Sequence, residues 1–126
     1  MKEAPIKLGY VIGPFDAPTA WELAENIHLA ERVGFHIAML GAMPVVPHAI
    51  THNFHNLMTS AFWYRGTLEL LKRCDFAVTT EIVGGSIEKS KGSRDEVDWL
   101  LRCQTERPLF RDLPGLTAYL QQAILL

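Results

Sequence analysis

Residues 88–99 read EKSKGSRDEVDW, a loop of small polar residues that runs into the start of a helix. An apolar, strand-like run, Phe76-Ala77-Val78, and a glycine-rich turn precede the loop. Serine and glycine at a helix start present free backbone N–H groups and the positive end of the helix dipole. This stretch can therefore hold an anionic or hydroxyl-rich ligand beside the carboxylate of Glu96, one turn into the helix.

The same spacing also fits a capping box, which is a purely structural device. In that interpretation Ser93 caps the helix, and Glu96, three residues later, returns a hydrogen bond to the backbone of the cap. Because this pattern is common in helices, spacing alone favours the capping box over a ligand site. The position of the stretch in the fold has to decide between them.

The chain alternates between strand-like and helix-like patterns around this stretch. Short apolar runs bounded by turn residues predict strands at residues 6–12, 43–46, 76–80 and 108–110. Apolar residues at helical spacing predict helices at residues 20–40, 65–74, 93–105 and from 112 or 114 to about 123. The first helix should be capped by Thr19, bury a stripe that begins at Trp21 and stop at Gly41. Residues 49–61 have no clean period and predict a functional loop or short lid.

This alternation predicts a single α/β domain over residues 1–126. The expected architecture is a three-layer, flavodoxin/Rossmann-like parallel sheet of four or five strands with helices on both faces. For the strand order 2-1-3-4, ligands should bind between strands one and three, beyond their carboxyl ends. The loops that meet there are residues 13–16 and 81–93, so the fold argument places the first loop opposite the Ser-Gly-rich stretch.

Composition and charge exclude several classes of partner. The net charge is −2 and no run of Lys or Arg exceeds two residues, so we expect no nucleic-acid polymer as a partner. The N-terminus lacks an apolar signal core and no apolar run approaches membrane-spanning length, which predicts a cytoplasmic protein with no membrane partner. Cys74 and Cys103 have no metal-like spacing and are predicted to be reduced, partly buried thiols. We expect no cofactor.

Several polar and aromatic side chains admit both a functional and a structural interpretation. The polar stretch and the strand end before it contain three histidines, His48, His52 and His55. They could ligate a metal, but the lack of a nearby carboxylate or cysteine favours surface or ligand-loop histidines. Trp63 can stack on a base or belong to the core at a helix entry. Arg94 can reach a phosphate, although a helix-surface pair with Asp98 is the simpler interpretation.

Short motifs occur in a definite order along the chain. They are YVIGPF (residues 10–15), Asn26, Pro47-His48, GTLELL (residues 66–71) leading to Cys74-Asp75, and Ser90-x-Gly92-x3-Glu96. Their order and spacing resemble the nucleoside 2-deoxyribosyltransferase-like superfamily. The closest likeness is to its small bacterial and phage members of unassigned function, related to 2′-deoxynucleoside 5′-phosphate N-hydrolases. The resemblance extends from about residue 8 to residue 120.

The resemblance implies an enzyme that cleaves the N-glycosidic bond of a nucleoside or nucleotide. Glu96 would attack C1′, the base would leave, and water or a second base would resolve the glycosyl ester, as in retaining glycosyl transfer. Ser90 and the Gly92 backbone would hold the sugar or a 5′-phosphate, and His48 would join residues 13–15 in lining the base pocket. The substrate-binding residues implied in this way are Tyr10, Gly13, Pro14, Phe15, His48, Ser90, Gly92 and Ser93.

Thr67 departs from the pattern of the related enzymes, which carry an aspartate eight residues before Asp75 for acid or base work. A hydroxyl can hydrogen-bond but cannot deliver a proton near neutral pH. Glu69 is a poor substitute because residues two apart on a helix do not share a face, and it should pair with Arg73. Three carboxyl groups in the mouth loops could supply the acid instead, namely Asp16, Glu81 and Glu88.

Three functions therefore stay open. The first is a hydrolase or base-exchanging transferase that uses a different acid. The second is a catalytically weak or inactive nucleotide-binding or sensing domain, and the third is an assembly module whose mouth is vestigial. Members of the superfamily usually form dimers or larger assemblies, and the apolar chain end at residues 123–126 could dock on a partner subunit. We therefore expect a homodimer or homotetramer.

Overall fold

Four parallel strands form the central sheet. The computed structural model describes residues 5–102 and 106–125, with side chains up to residue 122. The strands are β1 (Leu8–Ile12), β2 (Met43–Val45), β3 (Phe76–Thr79) and β4 (Leu109–Phe110). They lie in the order β2-β1-β3-β4, and every neighbouring pair is parallel. The sheet thus confirms the strand order 2-1-3-4 predicted from the sequence.

Helices cover both faces of this sheet. They are α1 (Ala20–Met39), α2 (Pro47–Thr51), α3 (Ser60–Lys72), α4 (Lys91–Arg102) and α5 (Leu113–Leu125), and a 3₁₀ turn at Thr80–Val83 follows β3. Successive strand residues point to opposite faces. Tyr10 and Ile12 therefore pack with residues of α3 and α4, whereas Val11, between them, packs with residues of α1 and α5. The three-layer α/β architecture is the one that the sequence predicts.

Both ends of α1 follow the sequence-based prediction. Thr19 accepts a hydrogen bond from the backbone N–H of Glu22 at 3.1 Å. Gly41 has a φ of 90°, the left-handed conformation that commonly ends a helix. The predicted apolar stripe is wrong at its first residue, because Trp21 is 74% exposed. The first turn of α1 lies at the mouth of a cleft, and Trp21 lines that mouth instead of the core.

The polar stretch at residues 49–61 is more regular than its sequence indicates. The short helix α2 runs into it, and α3 begins at Ser60 instead of residue 65. Thr59 caps α3 by accepting a hydrogen bond from the backbone N–H of Phe62 at 3.2 Å. The prediction of a loop across the whole stretch was therefore wrong in extent, because a threonine inside it supplies a helix start.

Several predictions concern residues outside the described part of the chain. These are the thiol of Cys103, the last residues of the predicted helix at 93–105, and the docking of the apolar side chains at 123–126. Cys74 is described and is a buried free thiol, and its burial raises its pKa to about 11. Within the described residues, no helix has both the length and the apolar character needed to cross a membrane.

Candidate functional site

A cleft of about 1450 Å³ opens at the carboxyl ends of β1 and β3. Its walls come from the loop after β1, the first turns of α1, the helices α2 and α3, and the start of α4. Most of the residues implied by the motifs line this one cleft, namely Tyr10, Gly13, Pro14, Phe15, Asp16, His48, Trp63, Thr67, Ser90, Gly92, Ser93 and Glu96. Arg94 is exposed and lies outside it. The loops that the fold argument placed opposite each other therefore do face a common space.

The start of α4 decides between the capping box and the ligand site. The helix begins at Lys91, so Ser90 is its cap. Ser90 Oγ accepts a hydrogen bond from the Ser93 N–H at 3.2 Å and donates one to Ser93 Oγ at 2.8 Å. The predicted capping box between Ser93 and Glu96 is thus wrong, because the cap lies three residues earlier. Glu96 falls in the second turn and points its carboxyl group at the cleft.

Glu96 is the buried carboxyl group of the cleft. Its side chain is only 9% exposed, and its Oε2 has no hydrogen-bond partner among the described residues. Burial raises its pKa to about 7, a hydrogen bond with Tyr10 lowers it by less, and the charge of Asp95 raises it slightly. A carboxyl group near half ionisation at neutral pH is suited to reversible proton or bond chemistry.

Tyr10 lies between Glu96 and Thr67 on the cleft wall. The phenol is almost fully buried, and burial and then the neighbouring Glu96 raise its pKa well above the ordinary value. The neighbouring Thr67 hydroxyl lowers the pKa of Tyr10 and so acts in the opposite direction. The Thr67 hydroxyl donates its proton to the carbonyl of Tyr64 at 3.1 Å. Thr67, Tyr10 and Glu96 therefore form one polar cluster on the cleft wall.

His48 is a buried part of the cleft wall, so the surface alternative of the prediction is wrong for this residue. It is 4% exposed in α2, and its Nε2 lies 2.8 Å from the carbonyl oxygen of Gly13. Because a carbonyl only accepts, Nε2 carries the proton and Nδ1 is left as an acceptor, without a partner among the described residues. Burial lowers the pKa of His48, which keeps the ring neutral.

Aromatic rings form the rim above His48. The ring of Phe15 lies edge-on to His48 at 6.0 Å and to His55 at 5.8 Å between centroids. Trp63 donates from Nε1 to the carbonyl of His55 at 2.9 Å, which ties the segment after α2 to α3. Asn26 donates to the carbonyl of Phe15 at 3.1 Å and so holds the loop after β1. Trp63 thus fixes the rim by its indole N–H while it lines the cleft.

Glu81 is not available as an acid. Arg111 donates to its two carboxylate oxygens from Nε at 2.8 Å and from Nη2 at 3.1 Å, and Thr79 adds a hydroxyl bond at 2.9 Å. These partners lower the pKa of Glu81, with Arg111 contributing most. Its side chain does not line the cleft. The expectation that Glu81 could protonate a leaving group is therefore wrong, because an ion pair 30 residues distant in sequence holds it ionised.

Two helix-surface predictions have opposite outcomes. Glu69 pairs with Arg73 at 3.1 Å, as predicted, and also with Lys72 at 3.2 Å. Asp98, the predicted partner of Arg94, instead lies 4.0 Å from Arg102. The i to i+4 spacing permits either direction along the helix, and the sequence does not choose between them.

On the α1 side of the cleft, three charged or aromatic residues were not predicted as site residues, namely Trp21, Glu22 and Glu25. All three lie on the first two turns of α1, directly after the loop that leaves the carboxyl end of β1. That position was the available signal, since ligands in open α/β sheets bind beside such loops. Within the described residues, no group of three or more His, Cys, Asp or Glu side chains could hold a metal ion.

Comparison with known proteins assigns no family to this chain. No protein-family model matches the sequence, and a search of curated proteins finds no match. The likeness to the nucleoside 2-deoxyribosyltransferase-like superfamily therefore remains a prediction based on motif order. The geometry of the cleft is therefore the main evidence on function.

Proposed function

We propose that this protein cleaves the N-glycosidic bond of a nucleoside or nucleotide, with Glu96 as the nucleophile. The observation that carries the proposal is the buried Oε2 of Glu96, which faces the cleft without a hydrogen-bond partner among the described residues. Leaving a buried carboxylate oxygen unpaired is unfavourable, and such groups concentrate at functional sites. The order of the sequence motifs supports glycosyl transfer as the type of reaction.

The reaction would proceed in two steps. Glu96 Oε2 attacks C1′ of the sugar, the bond from C1′ to the base nitrogen breaks, and an ester forms between the sugar and Glu96. Water, or a second base, then attacks C1′ and releases Glu96 as a carboxylate. The neighbouring Tyr10 supports this role, because its hydroxyl lowers the pKa of Glu96 and so favours the ionised, nucleophilic form.

The start of α4 offers the groups for a sugar hydroxyl or a 5′-phosphate. The backbone N–H groups of Ser93 and Arg94 are already bonded to Ser90, at 3.2 and 3.0 Å. A ligand would therefore use the N–H groups of Lys91 and Gly92, at the positive end of the helix dipole. No side chain blocks Gly92, since a Cβ there would meet nothing within 4 Å. The base would then lie toward Phe15 and the aromatic rim.

The test is base release from a panel of nucleosides and their 5′-monophosphates, measured by chromatography. Glu96→Gln should lower the rate by at least about 10³-fold, because it removes the nucleophile and keeps the shape. The matched control is Asp98→Asn, an equivalent change on the exposed face of the same helix, which should stay within about two-fold of the native rate. Equal rates for the native protein and Glu96→Gln would refute the assignment.

A second candidate is a catalytically weak or inactive nucleotide-binding or sensing domain. The observation that favours it is Thr67. This residue lies in the polar cluster with Tyr10 and Glu96, but its hydroxyl cannot transfer a proton to a leaving base near neutral pH. Tight calorimetric binding of a nucleotide that is recovered intact would support this function over the enzyme. Failure of every nucleotide to raise the melting temperature would count against both, since binding to the folded state must stabilise it.

We also propose that the protein is a homodimer or homotetramer of the cytoplasm. Support for self-association comes from apolar side chains exposed on α1 and on the edge strand β2, namely Phe35, Met39 and Met43. The free thiol of Cys74 is the form expected in a reducing compartment. Sedimentation of the purified protein as a monomer at micromolar concentration would contradict the oligomer.

A further inference from the structure

Among the described residues that line the cleft, Glu96 is the one buried carboxyl group. Four other acidic residues line it, and all are exposed, namely Asp16, Glu22, Glu25 and Glu88. A carboxyl group keeps its proton near neutral pH when burial or a like charge raises its pKa. Among the described residues of the cleft, Glu96 alone is placed in that way, and it is the group that must attack C1′.

The remaining polar groups on the inner wall are held in forms that do not protonate a leaving base. The Nε2–H of His48 donates to Gly13, and its Nδ1 can only accept. The Tyr10 phenol is engaged with Glu96, and its raised pKa makes it a poorer acid. Thr67 is a hydroxyl that donates to a backbone carbonyl. His55 is half-buried at the rim, and its Nδ1 lies 3.1 Å from the His52 carbonyl, whereas Tyr64 lines the exposed part of the cleft.

The charge of the cleft favours a cationic ligand. Five acidic and two basic side chains line it among the described residues. The two basic residues, Lys89 and Lys91, lie at the start of α4, whereas Asp16, Glu22 and Glu25 lie on the α1 side. A cleft with an excess of one sign concentrates ligands of the opposite sign. The unpaired Oε2 of Glu96 adds a buried hydrogen-bond acceptor to the inner wall of the cleft.

We infer that the preferred substrate is a glycoside whose leaving heterocycle carries a positive charge, of the N-ribosylpyridinium or N7-alkylated purine nucleoside class. The inference rests on the proposed function and names its substrate class. A neutral base that departs with the bonding electron pair becomes an anion, so it needs a proton from a general acid. A cationic heterocycle departs as a neutral molecule and needs none, which matches a cleft without an inner-wall acid.

The balance of the reaction is simple. Glu96 Oε2 forms a bond to C1′, and the C1′–N bond breaks with its electron pair going to the ring nitrogen, which neutralises the heterocycle. Water then attacks C1′, the ester bond to Glu96 breaks, and one proton passes to solvent. A cation bound beside Glu96 also favours its ionised form, so substrate would help to generate its own nucleophile.

The experiment compares two substrates that differ by one methyl group and one charge, 7-methylguanosine and guanosine, each with and without a 5′-phosphate. For the native protein we expect kcat/KM for the methylated member to be higher by at least about 10²-fold, the size of a general-acid contribution. Because 7-methylguanosine is also intrinsically more labile, Thr67→Asp serves as the internal reference. This variant introduces an acid beside Tyr10. It should speed base release from guanosine and so lower the ratio of kcat/KM for 7-methylguanosine to kcat/KM for guanosine.

The pH profile gives a second readout that does not depend on any variant. The substrate for this profile is an N-ribosylpyridinium, whose ring has no proton to lose, since 7-methylguanosine itself loses a ring proton near neutral pH. Release from it should rise through pH values near 7, where Glu96 ionises, and then level off, without a falling limb due to an acid. A bell-shaped profile would overturn the inference, because it would reveal a required proton donor. If Thr67→Asp does not fold, the inference is tested by this pH profile together with the kcat/KM ratio of the native protein for the two substrates.

The outcomes separate the inference from the function on which it rests. Base release from guanosine at a rate equal to that from 7-methylguanosine would overturn the cationic preference and leave the N-glycosidase standing. Loss of that guanosine activity in His55→Gln would then identify His55 as the acid. Release from neither compound, nor from any nucleoside of the wider panel, would overturn the inference and the proposed function together.

Discussion

At the amino ends of β1 and β3, Asp75 and Leu8 exchange two hydrogen bonds of 2.8 Å, and Arg107 donates to the Cys74 carbonyl at 2.9 Å. At the carboxyl ends of the sheet, by contrast, three buried side-chain atoms lack a partner among the described residues, namely His48 Nδ1, Thr80 Oγ1 and Glu96 Oε2. The polar groups at the amino end of the sheet thus have hydrogen-bond partners, whereas three of those at the carboxyl end have none among the described residues. Unpaired buried polar groups mark the end of the sheet that a ligand or water has to complete.

The difference also separates stability from function. The amino end gains from its hydrogen bonds in the free protein, whereas the carboxyl end carries a desolvated carboxyl group that the fold would be more stable without. Natural active sites commonly carry such a stability penalty. Removing the Glu96 carboxylate at the carboxyl end should therefore raise the free energy of unfolding near neutral pH, whereas removing the Asp75 carboxylate at the amino end should lower it.

The largest stability effect should come from Glu96→Gln. The folded-state pKa of Glu96 is raised to about 7, so the folded protein holds the Glu96 proton after the unfolded chain has lost it. The free energy of unfolding should therefore fall by roughly 3 kcal/mol as the pH rises from about 4.5 to 7. Glu96→Gln removes that slope and should be more stable than the native protein at pH 8. Urea unfolding at pH 5 and pH 8 measures it, and an unchanged slope would contradict the burial of Glu96.

The next largest effect should come from a matched pair of glycines, Gly9 in β1 and Gly13 directly after it. A Cβ at Gly13 would lie 2.4 Å from Thr80 Cγ2, and one at Gly9 would lie 2.4 Å from Phe76 Cζ. Each alanine variant should lower the free energy of unfolding by about 1–3 kcal/mol through overpacking. Only Gly13→Ala should also weaken nucleotide binding in a thermal-shift titration. Equal loss of binding in Gly9→Ala would mean that the two ends of the sheet are not functionally distinct.

A smaller effect is expected for Asp75→Ala at the amino end. The change leaves the backbone N–H of Leu8 without its side-chain acceptor, and the site is exposed. We expect a loss of about 1 kcal/mol in the free energy of unfolding, the typical net value of one hydrogen bond. Base release by the folded variant should remain native. A loss of activity without a loss of stability would indicate that this end takes part in function.

The smallest effects should come from two helix glycines with open surroundings. A Cβ at Gly92 in α4 or at Gly66 in α3 would meet nothing within 4 Å, so each alanine variant should gain about 0.5–1 kcal/mol of stability. Gly92→Ala should nevertheless weaken binding of a 5′-monophosphate, because the methyl group occupies the space beside the ligand-binding N–H groups. Gly66→Ala is the control and should bind normally. Equal binding of the 5′-monophosphate by both variants would mean that the start of α4 does not contact the ligand.

The sequence was sufficient for the sheet and for the ends of α1. Short apolar runs between turn residues predicted all four strands, and the strand order considered for them, 2-1-3-4, is the observed one. Thr19 and Gly41 act as the expected helix cap and stop. The same logic placed the loops after β1 and β3 around one cleft. These features depend on local chemistry and on topological rules that hold for parallel sheets in general.

The details of the site could not be predicted because they depend on competition and on distant partners. Ser90-x-x-Ser93 and Ser93-x-x-Glu96 both have the spacing of a cap, and local sequence cannot choose between them. Packing of Val97 and Leu100 against β1 fixes the helix so that Ser90 is the cap and Glu96 faces the cleft. The burial of His48 likewise depends on the carbonyl of Gly13, 35 residues away in the chain.

The most direct test of the account is the detection of a covalent bond between the sugar and Glu96. The protein is mixed with a turned-over nucleoside whose 2′-fluorine slows the second step, quenched in acid and digested with trypsin. We predict a mass increase of one glycosyl group on the peptide of residues 95–102, located at Glu96 and missing from Glu96→Gln. Base release that continues in Glu96→Gln, with the adduct missing or on another residue, would contradict the central claim.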